Sequence, residues 1–276
     1  MLCVGVGGTG VIRASMILGW AALKDGFKVR TAETHGMSQR GGSVSSYLRF
    51  GKSLEGPFMI EGDVDALLAF EISEALRNLN FVNHDTYIIV SRSTTVPPSV
   101  LTHRKLKIDG NKCIGCGNCL AHCVPSQVFK EGDKERSEFT LIQGPTREIR
   151  NGYSAVLDSC TGCTQCIIDL VCPFDAISAY NEWEYPPVVE IEKDINQASK
   201  NTILVDAEKI AIDCGNVLAA NVVILGILAG LDVIPIKEDT LRKTVSAFVP
   251  KRALEVNLDA FNRGIHIGKN YKESRN

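Results

Sequence analysis

The hydrophobic pattern changes character twice along the chain. Leu2-Cys-Val-Gly-Val is a short apolar run of strand type, and the stretch after it places Ile12, Met16, Gly19 and Leu23 near one helical face. Between the two lies Gly5-Val-Gly7-Gly8-Thr-Gly10, so a βα unit with a glycine turn opens the chain. Phe27 to Glu33 reads as the second strand, and Val44 to Phe50 alternates as a half-buried strand does. Tyr87 to Val90 and Thr202 to Asp206 are further extended apolar pieces. Val217 to Leu231 is apolar except at Asn221 and falls short of the roughly 20 residues a membrane helix requires, so it reads as a buried helix. Asn221 must then find a hydrogen bond inside the core. From about residue 105 to 185 this periodicity gives way to cysteine, glycine and charge, after an exit at Pro97-Pro98. The pattern predicts a discontinuous α/β domain, residues 1–104 and 186–276, interrupted by an insert at 105–185.

Composition narrows the function classes. The 276 residues are 45% hydrophobic and 22% charged, as in an ordinary globular chain, which excludes a disordered or fibrous one. A formal net charge of −2 gives no field that would draw the chain to nucleic acid or an anionic membrane. The chain begins without a basic segment, apolar core and cleavage site, so a cytoplasmic, reducing location is expected. The first strand is very short, as it would be if the start site were placed late.

In a reducing compartment the ten cysteines call for an explanation other than disulfides, and eight of them lie between Cys113 and Cys172. Cys113, Cys116 and Cys119 are spaced by two residues and followed after three more by Cys123, the bacterial ferredoxin run, with Val124-Pro125 replacing an immediate proline. Cys160, Cys163 and Cys166 repeat the triple, and Cys172-Pro173 adds a fourth thiolate after five intervening residues. A loop with cysteines at every third position can wrap one cube and ligate three irons while its fourth cysteine serves the other cluster. The expected sets are therefore Cys113, Cys116, Cys119 and Cys172 for one 4Fe-4S cluster, and Cys160, Cys163, Cys166 and Cys123 for the other. Gly115, Gly117 and Gly162 would let backbone N–H groups approach the cluster sulfides. Two structural zinc sites are the weaker alternative, because a third cysteine at the next step has no role in a tetrahedral site. The charged stretch Glu131 to Glu138 reads as a solvated hairpin or loop, and His122 as an exposed loop residue rather than a relay.

The glycine turn taken alone is compatible with a nicotinamide or flavin nucleotide on Gly5, Gly7 and Gly10, with Glu33 at the ribose acid's place. The residues beyond Glu33 shift the balance. His35-Gly-Met-Ser38-Gln39-Arg40-Gly-Gly-Ser43, running into Val44 to Phe50, resembles the signature of the beta subunit of indolepyruvate ferredoxin oxidoreductase. More broadly it is similar to the gamma-type domain of 2-oxoacid:ferredoxin oxidoreductases. The likeness continues through Asp65 to Glu71 with Glu74-Ala-Leu-Arg77, and resumes at Gly215-Asn216 and Ala220 to Gly226.

The resemblance implies a Rossmann-like gamma-type α/β domain, here interrupted by a bacterial-type two-cluster ferredoxin module of α+β character. The indolepyruvate family carries that module on its larger alpha subunit, so its place inside this chain departs from the pattern. A partner alpha-type subunit is implied to hold thiamine diphosphate, since this chain contains no G-D-G signature; Glu61-Gly-Asp63-Val and Glu131-Gly-Asp133-Lys both break it. Electrons from decarboxylation of a 2-oxoacid would pass through two clusters here to an external ferredoxin, and coenzyme A would take the acyl group on or with the partner. No residue of this chain is expected to be catalytic. His35, Ser38, Gln39 and Arg40 are the candidates for an active-site mouth or subunit contact, and Gly5, Gly7, Gly8 and Gly10 for a cofactor contact. Glu71 and the Glu74–Arg77 pair are expected to make a helix start and an exposed i,i+3 ion pair, and Cys3 and Cys214 to be small core residues.

Overall fold

The N-terminal apolar run forms β1 (Leu2–Val6), buried along its whole length. In the computed structural model the described residues are 1–36, 41–96, 104–109, 111–114, 116, 147–150, 153–156, 172–181 and 185–275. After β1 the chain turns through its glycines into α1 (Val11–Lys24), then forms the antiparallel pair β2 (Lys28–His35) and β3 (Ser43–Gly51). β4 (Ala66–Ala69), α2 (Ile72–Arg77) and β5 (Tyr87–Ser91) come next. The four residues of β4 are all buried, as expected of a strand covered on both faces.

The chain divides into two compact units: Met1–Thr95 with Pro186–Asn276, and Val96–Tyr185. In the second, β6 (Arg104–Ile108) pairs antiparallel with β9 (Ile177–Asn181), and β7 (Arg147–Arg150) with β8 (Tyr153–Val156). Leu106, Ala176 and Ile177 are buried there.

The first unit resumes with α3 (Val188–Ala198), β10 (Asn201–Val205), α4 (Ala207–Asp213), α5 (Ala220–Leu231), α6 (Glu238–Phe248) and α7 (Leu254–Glu273). Its six-stranded sheet has the order β10-β5-β4-β1-β3-β2, parallel from β10 to β1 and antiparallel across β3 and β2. The strands' alternation sends Cys3, Leu68, Ile89 and Ile203 into one core with α1 and α5. Leu2, Leu67 and Ile88 are equally buried on the opposite face, where α2 and α3 pack. α5 is apolar all round and is enclosed by its neighbours, as such a helix must be. It meets α7 at unusually short range. A Cβ on Gly226 would collide with the carbonyl oxygen of Phe261, and one on Gly264 with that of Val223. Gly230 and Gly268 repeat the contact one turn further on, so the two helices touch backbone to backbone.

Three expectations need correction. The buried side of α1 is Val11, Ala14, Ile17, Leu18 and Ala21, whereas Met16 and Leu23 point outward; only Gly19 of the predicted face is buried, because core contacts rather than the larger side chains fix the helix's rotation. Val217 and Leu218, expected to start the buried helix, lie in a 3-10 turn before α5 and are exposed. The strand carrying Glu33 does not lie beside β1. β3 is inserted between them, because the short link from β2 to β3 closes an antiparallel hairpin, which a parallel neighbour of β1 could not use.

Candidate functional site

A cleft of about 1160 Å³ opens at the carboxyl ends of β1, β4 and β5, where a parallel α/β sheet characteristically holds its ligands. Its floor is the glycine turn. Thr9 donates from both its N–H (3.0 Å) and its Oγ1 (2.8 Å) to the carbonyl of Val6, closing the turn. The turn is stitched to the base of the polar loop: Gly7 N–H donates to the Gly42 carbonyl at 2.8 Å, and Gly41 N–H to the Gly7 carbonyl at 3.3 Å. Gly10 caps α1 at φ 89°, a left-handed conformation that glycine adopts without penalty. A Cβ there would also strike the amide of Asn221, whose Nδ2 donates to the Gly10 carbonyl at 3.5 Å. Asn221 thus has the hydrogen bond its burial requires.

Gly7, Gly8 and Gly10 line the cleft together with Arg13, His35 and Asn221. Gly5 does not. A Cβ on it would come within 2.8 Å of Val11 and 2.9 Å of Thr9, so its small size serves the packing of strand against helix. His35 ends β2 with its Nε2 3.5 Å from Glu33. Glu33 is therefore two strands away from β1 and engaged with a histidine, which is not the ribose-binding arrangement of a dinucleotide fold. Ser38, Gln39 and Arg40 lie outside the described residues.

Two carboxylates beside the cleft do more than the sequence suggested. Glu71 caps α2, accepting from the N–H of Glu74 at 2.9 Å, the hydroxyl of Ser73 at 2.6 Å and the N–H of Thr95 at 3.1 Å. Glu74 pairs with Arg77 at 2.9 Å and accepts from the hydroxyl of Ser43 at 2.5 Å. The helix start and the i,i+3 pair are as expected, but both carboxylates are buried, with residue exposures of 0% and 2%. Glu74 fixes the far end of the polar loop at Ser43, and Glu71 caps the helix that carries Glu74. The apolar run immediately before Glu71 was the available signal that these acids would be drawn inside.

Among the described cysteines of the second unit, Cys113 and Cys172 hang from the same end of one ladder. β6 and β9 end at the pair Ile108 and Ile177, and Asp109 N–H continues the ladder to the Ala176 carbonyl at 2.8 Å. Cys113 N–H returns to the Asp109 carbonyl at 2.9 Å, while Ala176 N–H donates to the Cys172 Sγ at 3.3 Å. A backbone donor aimed at a cysteine sulfur is the contact that stabilises a thiolate ligand. Cys116 is exposed. Among the described residues no group of three or more His, Cys, Asp or Glu converges as a metal site. Cys119, Cys123, Cys160, Cys163, Cys166, the loop glycines Gly115, Gly117 and Gly162, His122 and the Glu131–Glu138 stretch lie outside them.

The two remaining cysteines have no ligand character. Burial pushes the Cys3 thiol up to about 12, so it stays protonated in the core. Cys214 is also pushed up, by burial and by its hydrogen bond to Asp259, at the half-buried end of α4. No described helix is long and apolar enough to cross a membrane.

The chain matches the family described as pyruvate ferredoxin/flavodoxin oxidoreductase over residues 1–128 and 141–267. It is 28% identical over 270 residues, covering 98% of this chain and 95% of the relative, to a Pyrococcus horikoshii protein named indolepyruvate oxidoreductase subunit IorB. Among solved structures, the gamma subunit of a keto/oxoacid ferredoxin oxidoreductase from Geobacter sulfurreducens aligns with a TM-score of 0.51 at 18% identity, over 98% of this chain and 97% of that one. A 2-oxoglutarate:ferredoxin oxidoreductase chain from Magnetococcus marinus aligns with a TM-score of 0.53 at 15% identity, over 98% of this chain and 30% of that one.

Proposed function

The chain belongs to the pyruvate ferredoxin/flavodoxin oxidoreductase family, and on that premise we propose that it is the electron-transfer subunit of a thiamine diphosphate-dependent 2-oxoacid:ferredoxin oxidoreductase acting on indolepyruvate or a similar aryl pyruvate. The observation that carries this reading is the twofold cysteine run together with the ladder that brings Cys113 and Cys172 to one end. That placement fits a cluster ligated by Cys113, Cys116, Cys119 and Cys172, with Cys160, Cys163, Cys166 and Cys123 serving the second. When bound, two 4Fe-4S clusters supply one-electron carriers. The chain's own part is to hold eight thiolates, to donate the Ala176 N–H to one of them, and to keep the carriers apart from the oxoacid. We assign residues 105–185 to this ferredoxin module and residues 1–104 with 186–276 to the gamma-type domain, a division supported by the compact unit Val96–Tyr185.

The partner alpha-type subunit carries thiamine diphosphate and, with it, the coenzyme A site; an external ferredoxin in the cytoplasm collects the electrons. The first unit's cleft, with its glycine turn and with His35, Ser38, Gln39 and Arg40 on the adjoining loop, forms the mouth that meets the partner's active site. Glu74, on the helix that Glu71 caps, holds that loop's base in place.

The test is made on anaerobically purified protein, with and without the co-expressed partner. About eight irons per chain are expected, with cubane signals in electron paramagnetic resonance. Indolepyruvate plus coenzyme A should reduce the complex and leave the lone chain oxidised. Reduction of the lone chain by NADH would instead make it a nucleotide-dependent carrier and overturn the reading.

A further inference from the structure

The turn that leads from Cys172 into β9 contains an unusual backbone step. The Asp175 N–H donates to the Cys172 carbonyl at 3.2 Å, closing a turn over Cys172-Pro-Phe-Asp175 with proline at the position that suits its fixed φ. Asp175 itself then adopts a φ of 49°. Among the described residues one other non-glycine residue has a positive φ, Asp232, and it ends α5, where a left-handed residue is an ordinary helix stop. Asp175 ends no helix. Aspartate tolerates this conformation better than most side chains do, at a cost that glycine would avoid.

The left-handed step redirects consecutive N–H groups. That of Asp175 goes to the Cys172 carbonyl, and the next, that of Ala176, goes to the Cys172 sulfur at 3.3 Å. Ala176 is 2% exposed, so its N–H must find an acceptor inside the protein. A thiol is a weak acceptor, whereas a thiolate makes a charge-assisted and stronger bond. The donor is therefore placed for an ionised, metal-bound Cys172. Its own residue is held from behind, because the Ala176 carbonyl accepts from the Asp109 N–H at 2.8 Å. Lys112, beside Cys113, reaches the Asp175 carbonyl at 3.5 Å and its carboxylate at 3.8 Å. That ion pair is exposed at both ends and adds little, so the backbone of the turn sets the direction of the Ala176 N–H.

A hydrogen bond to a ligating sulfur favours the reduced, more negative form of a cluster and so raises its reduction potential. Resting on the function proposed above, we propose that Asp175 is a positioning residue: its left-handed backbone aims the Ala176 N–H at the Cys172 sulfur and thereby raises the potential of the cluster that Cys172 ligates. The experiment measures the potential of each cluster in the anaerobically purified, iron-loaded full chain, by electron paramagnetic resonance at poised potentials. Asp175→Asn and Asp175→Gly remove the charge and keep residues that accept a left-handed backbone, whereas Asp175→Val removes the charge and disfavours that backbone, being β-branched. All three are neutral at this position, so differences among them read the backbone and not the charge. The asparagine and glycine variants should share one potential for the responding cluster, at or above the wild-type value. The valine variant should fall below both, Asp175→Ala should lie between, and the other cluster should keep one value throughout. If the valine variant takes up no iron, alanine against glycine decides. Equal potentials in the iron-loaded glycine, alanine and valine variants overturn the positioning role and leave the proposed function standing. Failure of the wild-type chain to take up iron removes the functional reading and this inference with it.

Discussion

In the first unit the central strands β1, β4 and β5 are buried on both faces, with Leu2, Leu67, Leu68, Ile88 and Ile89 all at 0% exposure. Among the described residues the second unit forms two ladders of two strands each, with Leu106, Ala176 and Ile177 buried beside the first of them. A two-stranded ladder is marginal in water by itself, and small modules that lack a sufficient core are held by metal or disulfide bonds instead. One chain thus uses two means of cohesion: hydrophobic burial where it must present a rigid surface, and thiolate bonds, as we propose, where it must carry charge. The first means is insensitive to redox state and acidity within broad limits, and the second is not.

The largest effect should come from removing the iron. Chelation under reducing conditions, or Cys113→Ser combined with Cys172→Ser, should make residues 105–185 open to limited proteolysis, because ligand binding and folding are one equilibrium in such modules. Residues 1–95 and 186–276 should survive the same digestion and keep their melting temperature. If the insert remains resistant without iron, it possesses a core of its own and the contrast fails.

The reciprocal experiment attacks the first unit where it is tightest. Gly226→Ala places a methyl group against the Phe261 carbonyl in a crossing with no room to give, and should cost about 3 kcal/mol or more in thermal or denaturant unfolding. Gly56→Ala, whose Cβ would meet nothing within 4 Å, should change stability by less than about 0.5 kcal/mol. Iron content per folded chain should be the same in both variants. An equal response to the two substitutions would mean that the α5–α7 contact is looser than its backbone geometry requires.

These two regions were also unequally legible in the sequence. Cysteine spacing is set by the size of a cube and is written in consecutive residues, so candidate ligands of the insert could be proposed from the chain alone, and of these Cys113, Cys116 and Cys172 fall among the described residues. In the first unit, local signals located β1, β3, β5 and β10 within a residue or two, because apolar runs and alternation are local. The strand order was not legible, since nothing within Phe27 to Glu33 records that β3 will come between it and β1. Nor was the rotation of α1: apolar residues stand on both sides of it, and the sheet takes Ile17 and Leu18 with the small Ala14, Ala21 and Ala22 while Met16, Trp20 and Leu23 face outward. The cap Glu71 and the loop anchor Glu74 were visible as a cap and an ion pair, but their burial depends on Ser43, about thirty residues away, and on the sheet that brings it near.

Acidity separates the two means of cohesion most finely. Asp259 on α7 accepts from the Cys214 thiol and from Arg263, at 3.0 Å, and these hold its carboxyl below the usual aspartate range. A carboxyl whose folded pKa lies below its unfolded value of 3.8 contributes fully above that value, and its contribution is lost as pH falls through the folded pKa. Because the group is about half exposed, the effect is well under about 1 kcal/mol. The Asp259 increment should therefore be constant from pH 7 to 5 and be lost only below about pH 4, and Asp259→Asn should remove its share of the acid fall, leaving the shares of Glu238 and Asp85, whose carboxyls are also held low. Thiolate ligands compete with protons throughout the acid range, so iron release from the insert should come at higher pH than the Asp259-dependent loss. Parallel titrations of iron-centred absorbance and of first-unit melting decide the order. Coincident transitions, unaffected by Asp259→Asn, would show that the insert's cohesion supports the first unit as well.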